Sequence, residues 1–404
     1  MRKKISVQDL QLGMFVDELC GSWMEHPFLR SSFKLTNTKD LETLQHCGIT
    51  EVWIDSAQGL DVAVRVNAIS ETDEQQKTNA ALLRATKNQH AMEARVSLDE
   101  ELDTARKIQA KAKLAITSMF QEARMGNALP IGETVSLVEE ISQSITRNPG
   151  ALLSLARLKT KDDYTYLHSV AVCALMIALG KQLNVEDDLL QSLGMAGLLH
   201  DIGKMAIPDD ILNKPGRLTD PEFDVIKTHP VRGWEVLKAA DDVDDIALDV
   251  CRHHHERIDG NGYPDRLSTE DLSLYAKMGA VCDVYDAITS NRSYKDGWEP
   301  ADSIRKMAEW KNGHFDEAVF NAFVKTVGIY PTGTLVKLQS GRLGVVTDQS
   351  TKSLLTPKVK VFFSSNAKTP IPMQIIDLAR SQESIANVED PALWGFDLRK
   401  ITGL

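Results

Sequence analysis

Three consecutive histidines, at positions 253–255, are followed after three further residues by a glycine-rich segment at positions 259–264. Imidazole is polar and needs hydrogen-bond partners when it is buried, and neutral imidazole is the commonest metal ligand among side chains. The glycine-rich segment has turn chemistry, so it should end a helix and lay a loop beside the histidines. Taken alone, a run of histidines is better explained as a solvated surface feature. The rest of the chain therefore decides between a surface run and a metal site.

Three further histidines, at positions 168, 200 and 229, precede this run, so six of the chain's ten histidines lie between residues 168 and 255. Carboxylates accompany them in the pair His200-Asp201 and, further along, at Asp283 and Asp286. A mixed set of imidazoles and carboxylates suits iron, manganese, zinc or nickel better than it suits metals that prefer thiolates. Any single member is equally typical of a satisfied polar residue in a protein core. The set in this order indicates a metal site.

The order of these residues resembles the HD-GYP family of metal-dependent cyclic dinucleotide phosphodiesterases. The matching motifs are His-Asp at 200–201, within the letters HDIGK, His-His-Glu at 254–256 and Gly-Tyr-Pro at 262–264. The resemblance covers about residues 151–330 and includes Asp283 and Asp286, followed by Arg292 and Lys295. It implies a hydrolase with two divalent metal ions. Iron or manganese is expected first, with nickel, zinc and magnesium as alternatives.

The resemblance also implies a set of metal ligands. One ion is expected on His168, His200, Asp201 and Asp283. The other is expected on Asp201, His229, His254 and His255, so that the Asp201 carboxylate bridges the two ions. His253 is expected outside the ligand set, because three consecutive helical residues cannot all face one way. Glu256 and Asp259 are expected to orient the histidines or the glycine-rich loop rather than to bind metal.

The implied substrate is a cyclic dinucleotide, above all cyclic di-GMP, opened to the linear dinucleotide pGpG with GMP formed slowly if at all. Asp201 and Lys204 are the expected catalytic residues, since Lys204 stands three residues after Asp201 and can stabilise charge on a phosphate oxygen. Lys204 is also expected to bind substrate, together with Arg292, Lys295, Lys214 and Arg217. Two alternatives stay open: a phosphodiesterase for 3′,3′-cyclic GMP-AMP or another nucleotide, and a non-catalytic receptor or adaptor for a cyclic dinucleotide.

The prediction of two metal ions rather than three rests on the identity of residue 164, which is a tyrosine. Family members with a third metal have a glutamate one helical turn before the first histidine ligand, and here that position is Tyr164. A phenol is a poor ligand for divalent iron or manganese at neutral pH, because its pKa is about 10. With two ions, the linear dinucleotide should leave after the first cut.

Charge and segment composition restrict the class of protein. The formal net charge of −11 argues against broad nucleic-acid binding, although a local basic pocket suffices for a small anionic substrate. The chain opens without a signal-peptide pattern, and its most apolar run, residues 170–179, is shorter than the roughly 20 residues that span a bilayer. Five scattered cysteines without a Cys-x-x-Cys pair suit a reducing compartment. The sequence therefore predicts a cytoplasmic protein without membrane insertion.

The expected fold is multidomain and mainly α-helical, with a helical-bundle catalytic domain. The predicted parts are a small α/β domain (1–67), a polar linker (68–96), connecting helices (97–150), the catalytic domain (151–330) and a small β-rich unit (331–404). The first part resembles the small domain often found ahead of HD-GYP domains. An apolar stripe over residues 98–120 fits either a homodimer seam or burial against its own chain. The resemblance to the HD-GYP family also implies that the loop with the Gly-Tyr-Pro motif can contact a diguanylate cyclase (GGDEF) partner.

Overall fold

The structure is a computed structural model that describes residues 2–20, 32–46, 49–62, 68–85, 95–157, 164–214, 216, 218–290, 297–350, 352–398 and 401. The chain divides into two compact units. One is formed by Met1–Arg84 with Ala308–His314, and the other by Ala85–Met307 with Phe315–Leu404. The two units are described separately. The five-part division expected from the sequence is finer than this and stays a prediction.

The first unit contains a five-stranded antiparallel sheet, as the alternating pattern of its sequence predicts. Its strands are β1 (Arg2–Ser6), β2 (Phe15–Leu19), β3 (Phe33–Lys34), β4 (Glu51–Asp55) and β5 (Ile69–Ser70), in the spatial order β3-β2-β4-β1-β5. Helix α1 (Thr38–His46) lies between β3 and β4 in the sequence. The fully buried Val16, Leu44 and Ile54 belong to one apolar core. The prediction of a small α/β domain is confirmed.

The predicted polar linker contains helix α2 (Glu71–Ala85). A polar segment of mixed charge is compatible with disorder or with a solvated helix, and a helix is found. Three carboxylates lie in its first turn, where the helix dipole favours negative charge. One of them, Glu74, is buried and pairs with Lys4 of β1 at 3.2 Å, so α2 is anchored rather than fully solvated.

The helices between residues 98 and 327 include those that supply the candidate site. They are α3 (Leu98–Met125), α4 (Ile131–Arg147), α5 (Pro149–Arg157), α6 (Tyr164–Gln182), α7 (Leu189–Leu199), α8 (Asp209–Leu212), α9 (Asp220–Ile226), α10 (His229–Lys238), α11 (Asp245–His253), α12 (Leu274–Thr289), α13 (Pro300–His314) and α14 (Glu317–Val327). Helix α6 is buried on every side from residue 167 to residue 180, and most of these residues are apolar. The most apolar run of the chain is therefore the buried helix that the sequence predicts.

The apolar stripe of residues 98–120 is buried within its own chain. Helix α3 begins with the predicted capping box, in which Ser97 accepts from the N–H of Glu100, and it packs on α4, α5 and α6. Leu102, Met119 and Phe120 are all buried there. The stripe therefore packs against its own chain rather than forming a homodimer seam, and a homodimer through another surface stays a prediction.

Residues 220–239 form two helices where the sequence pattern predicts one. Helix α9 ends at Ile226, and α10 begins at His229 with Pro230 in its first turn. Proline has no N–H to donate within a helix and is favoured only at a helix start, where that donor has no partner in any case. The chain therefore turns at Lys227 and Thr228. His229 opens a new helix as a result.

The C-terminal part contains a second antiparallel sheet, which confirms the predicted β-rich unit. Its strands are β6 (Leu335–Leu338), β7 (Arg342–Asp348), β8 (Lys358–Ser364), β9 (Thr369–Asp377) and β10 (Ile385–Val388), in the order β10-β6-β7-β8-β9. The short helix α15 (Pro391–Trp394) follows, and Trp394 and Phe396 pack against the buried Phe362 and Leu343. None of the helices in the described ranges combines the length and the apolarity needed to cross a lipid bilayer.

Candidate metal centre

His168 lies in the buried helix α6 and contacts two carboxylates of α12. Its Nδ1 is 2.6 Å from Oδ2 of Asp286, and its Nε2 is 3.0 Å from Oδ1 of Asp283. The two aspartates stand three residues apart on one helix, so they share a face of α12. Both are buried, at 5% and 1% exposure for Asp283 and Asp286. One imidazole edge is thus held by Asp286, and the other faces Asp283.

His200 and Asp201 follow the last residue of α7. The apolar residues of that helix, among them Leu193 and Leu199, are buried, and this fixes the direction in which the helix ends. The chain then continues into a 3₁₀ turn, Ile202–Ala206. His200 and Asp201 are 0% and 1% exposed, so an imidazole and a carboxylate enter the interior together.

The start of α10 packs closely against this 3₁₀ turn. A Cβ atom on Gly203 would lie 2.0 Å from the carbonyl oxygen of His229 and 2.4 Å from the amide nitrogen of Gly233. On Gly233, a Cβ atom would lie 2.6 Å from Sγ of Cys251. No side chain fits at such distances without a backbone shift. The two glycines allow the approach that brings His229 next to Asp201.

The end of α11 supplies the histidine run. His254 is buried and His255 is partly buried. His253 is absent from the clustered ligand atoms of the described residues, and its ring contacts Asp249 at 2.7 Å and Asp265 at 3.1 Å instead. Helical geometry explains the separation, because consecutive residues point in directions about 100° apart. His253 thus lies outside the cluster of candidate ligand atoms among the described residues.

Three ring nitrogens are anchored by the backbone of the turn that precedes them. Nδ1 lies within hydrogen-bond distance of a carbonyl oxygen in each case: His200 with Gly197 (2.8 Å), His229 with Ile226 (2.8 Å) and His254 with Val250 (3.0 Å). A carbonyl oxygen only accepts, so Nδ1 carries the hydrogen and Nε2 of the neutral ring keeps a lone pair. A fixed second nitrogen is the usual arrangement of histidines that bind metal.

The Nε2 atoms of these rings converge on Asp201. Nε2 of His200 is 3.2 Å from Nε2 of His168, and Nε2 of His229 is 3.2 Å from Nε2 of His254. Three overlapping groups place one donor atom from each member within 4.8 Å of the others: His168 with His200 and Asp283, His200 with Asp201 and His254, and His229 with His254 and His255. The described structure therefore brings all seven predicted metal ligands together.

The surroundings of one oxygen of Asp201 indicate whether these candidate ligands fit metal ions. Oδ1 is buried and has no hydrogen-bond partner in the part of the chain that the structure describes. Nε2 of His229 lies 3.2 Å from it, and Nε2 of His254 lies 3.8 Å from it. A buried carboxylate oxygen that faces imidazole lone pairs is costly unless a cation neutralises it. The donor set fits divalent metal ions, for which nitrogen and oxygen ligands are usual.

The pKa shifts separate the candidate histidine ligands into two groups, because the pKa values of His254 and His255 are lowered and that of His200 is raised. Burial, together with the neighbouring histidines, holds the pKa of His254 well below its usual range, and burial is the main cause that lowers the pKa of His255 to about 3. Burial opposes charge at His200 as well, but Asp201 and Asp283 outweigh it and raise its pKa to about 10. The pKa values of both carboxyl groups are lowered despite their burial, Asp201 through Lys204 and His200, and Asp283 through His168 and His200. A metal ion would take the place of the protons that the carboxylates favour on His200.

Of the predicted substrate-binding residues, the structure describes Lys204 and Lys214. The ammonium group of Lys204 donates to Oδ2 of Asp201. Lys214 instead donates to both oxygens of Glu222, at 2.7 and 2.6 Å, beside the start of α9. Arg217, Arg292 and Lys295 lie outside the described residues, as does the side chain of Tyr164. The roles expected of these residues stay predictions.

Two features of the site were not assigned from the sequence. Asp286 was noted in the motif without a role, although its spacing of three from Asp283 on one helix indicates a shared face. Tyr263 stacks on His255, with ring centroids 4.7 Å apart and planes inclined by 30°. No local pattern predicts that contact, because it depends on how the loop folds back.

Comparison with known proteins places this geometry in context. Residues 141–319 match the family described as HD domain, and residues 2–134 match the one described as domain of unknown function (DUF3391). The cyclic di-GMP phosphodiesterase PA4108 of Pseudomonas aeruginosa is 55% identical over 399 residues, which cover 98% of this chain and 94% of that protein.

Two further relatives each match a little under half of the chain. The cyclic di-GMP phosphodiesterase response regulator RpfG of Xanthomonas campestris pv. campestris is 34% identical over 193 residues, covering 47% of this chain and 50% of that protein. The 3′3′-cGAMP-specific phosphodiesterase 2 of Vibrio cholerae is 30% identical over 186 residues, covering 46% of this chain and 35% of that protein.

Proposed function

Because the chain belongs to the HD-GYP family of cyclic dinucleotide phosphodiesterases, we propose that it hydrolyses cyclic di-GMP to the linear dinucleotide pGpG and so lowers a bacterial second messenger. The observation that carries the proposal is the 55% identity with a cyclic di-GMP phosphodiesterase over 94% of that protein, in a chain whose seven candidate ligands converge. The chain is a phosphodiesterase. What we propose is its preferred substrate.

We propose two metal positions that share Asp201. His168, His200 and Asp283 would complete the first, and His229, His254 and His255 would complete the second. Two divalent cations held there would neutralise the phosphodiester and lower the pKa of a water molecule, so that hydroxide is available at neutral pH. Iron or manganese suits this nitrogen and oxygen set best, with nickel, zinc and magnesium as alternatives.

Lys204 is the proposed residue that stabilises negative charge on the phosphate. Its side chain is 20% exposed and donates to Oδ2 of Asp201, so its ammonium group is adjacent to the proposed reaction site. A cation fixed next to the place where charge develops lowers the barrier without further reorganisation. Arg292, Lys295, Lys214 and Arg217 would bind the phosphates or guanines of the substrate. For Lys214, binding would require release of Glu222.

A second substrate is supported by the 30% identical relative that is named for cGAMP. The same donor set would serve a phosphodiesterase for 3′,3′-cyclic GMP-AMP, since only the contacts to the bases would differ. A non-catalytic receptor is less well supported, because every expected metal ligand is present. A diguanylate cyclase partner at the Gly-Tyr-Pro loop and a cytoplasmic location complete the proposal as predictions from the sequence.

The proposal is tested on protein purified without oxygen, by elemental analysis and by product analysis with cyclic di-GMP and 3′,3′-cyclic GMP-AMP side by side. We expect two metal ions per chain, faster turnover of cyclic di-GMP, and accumulation of pGpG with GMP appearing slowly. Metal-loaded protein that leaves both cyclic dinucleotides intact would contradict the function. Three ions per chain, or prompt formation of GMP, would contradict the prediction based on Tyr164.

A further inference from the structure

Glu256, the residue after the histidine run, is a buried carboxylate with three backbone donors. It is 2% exposed. Its Oε1 accepts from the N–H groups of Asp265 and Arg266, at 2.6 and 2.9 Å, and its Oε2 accepts from the N–H group of Leu267 at 3.2 Å. Three successive N–H groups that converge on one anion form a concave anion site, occupied here by a side chain of the same chain. Such charge-assisted bonds are stronger than bonds between neutral groups.

These bonds hold the loop that contains the Gly-Tyr-Pro motif against the end of α11. The N–H of Tyr263 donates to the carbonyl oxygen of His255 at 3.2 Å. A Cβ atom on Gly262 would lie 2.4 Å from the amide nitrogen of Arg257, so the loop approaches the backbone as closely as only glycine allows. Arg252, which precedes the histidine run in the sequence, donates to both oxygens of Asp265, at 2.6 and 2.9 Å. The loop is therefore held at residues on both sides of His254 and His255.

The position of the loop matters for His255 because this ring is held differently from the others. His168, His200, His229 and His254 each have a hydrogen-bond partner at Nδ1. Among the described residues the ring of His255 has no such bond, and its Nδ1 lies 3.6 Å from Oδ2 of Asp283. What contacts the face of the ring is Tyr263, stacked at 4.7 Å. Stacking thus replaces the missing bond in orienting His255.

We propose that Glu256 is a positioning residue for His255: it fixes the loop, the loop fixes Tyr263, and Tyr263 fixes the imidazole plane. The proposal rests on the proposed function, in which His255 is a metal ligand together with His229 and His254. The proposal predicts that the two metal positions respond differently to a change at Glu256. Loss of the Glu256 carboxylate lowers the affinity of the metal position that uses His255 and leaves the position that uses His168 and Asp283 unchanged.

Two variants test the proposal in the full-length chain, depleted of metal by chelation and titrated with Mn²⁺ in a calorimeter. Glu256→Gln keeps the size of the side chain, but its amide nitrogen cannot accept from the N–H of Leu267. Tyr263→Leu keeps the loop bonds and removes the stacked ring. For each variant we expect one binding step weakened about tenfold, as for other residues that orient metal ligands, and the other step unchanged. The double variant should be no weaker than the worse single variant, because both act through one ring.

Glu100→Gln is the matched control, because Glu100 also accepts from a backbone N–H, that of Ser97 at 2.8 Å, at an exposed helix start. Its isotherm should equal that of the parent chain. Unchanged binding in Glu256→Gln, or equal weakening of both steps, would overturn the proposal. If Glu256→Gln does not fold, as judged by circular dichroism, an unchanged isotherm for Tyr263→Leu overturns it instead. A parent chain that binds no Mn²⁺ would contradict the proposed function, on which this inference rests.

Discussion

The carboxylate of Asp286 lies 2.6 Å from Nδ1 of His168, on the ring edge opposite to the one that faces Asp283. An aspartate at this place accepts the Nδ1 hydrogen and leaves Nε2 as the free donor atom. One turn of α12 thus supplies both a candidate ligand, Asp283, and the residue that orients His168.

Replacement of Asp286 by alanine should weaken metal binding without removing a ligand. His168 would lose its acceptor at Nδ1, so the ring could rotate and its Nε2 would be less basic. We expect about 10- to 100-fold lower affinity for Mn²⁺ in a calorimetric titration, with a smaller loss for Asp286→Asn, which keeps an acceptor oxygen. Affinity equal to that of the parent chain in both variants would rule out this role.

Asp201→Ala should remove metal and activity together, because Asp201 is assigned to both metal positions. Elemental analysis and turnover of cyclic di-GMP measure the two effects. Asp103→Ala serves as the control, since Asp103 is an 82% exposed side chain paired with Arg106 on α3. An Asp201→Ala variant that retains turnover would show that another group bridges the two positions.

Lys204→Ala should keep the metal content of the protein and reduce kcat by about 100-fold, the usual effect of losing one group that stabilises transition-state charge. The ammonium group contacts Asp201 without being a possible metal ligand in its charged form, so the carboxylate stays available for coordination. Steady-state kinetics and elemental analysis of the same preparation separate the two quantities. A parallel fall in metal content would contradict the assigned role.

Gly203→Ala should lower the free energy of unfolding by about 3 kcal/mol, because its Cβ atom would meet the His229 carbonyl oxygen at 2.0 Å. Gly132→Ala is the control: its Cβ atom meets nothing within 4 Å, and alanine favours the helix by about 0.5–1 kcal/mol. Urea unfolding curves measure both changes. Equal stability of the two variants would show that the backbone can relax at Gly203.

The sequence predicted the side chains of the site better than the elements that position them. The resemblance carried by the short motifs implied the candidate ligands, which the structure brings together, and the apolar run predicted the buried helix α6. The separation of α9 from α10 was missed, because helical periodicity continues across Lys227 and Thr228 and only Pro230 signals the break. The bonds from Glu256 to residues 265–267 were also out of reach, since they depend on the path of the loop in space.

The anchoring of the histidines shows a second limit of sequence reasoning. His200, His229 and His254 hold their Nδ1 atoms on carbonyl oxygens three or four residues earlier, so any residue type at those earlier positions could supply the acceptor. Every residue has a backbone carbonyl group, so the sequence does not show which of them accepts a hydrogen bond from a histidine. The five-part domain division and the roles of Arg217, Arg292 and Lys295 stay predictions.

The contact between Gly203 and Gly233 has a consequence for how other chains of this type are judged. A chain can retain every histidine and aspartate of the motif and still be unable to bring the residue equivalent to His229 next to the residue equivalent to Asp201. A Cβ atom on Gly203 would lie 2.0 Å from the His229 carbonyl oxygen and would hold the two segments apart, and one on Gly233 would lie 3.0 Å from the amide nitrogen of Gly203. Inactive members could therefore arise with an intact ligand signature. These two small residues, which bind nothing, are the ones to inspect before such a chain is counted as an enzyme.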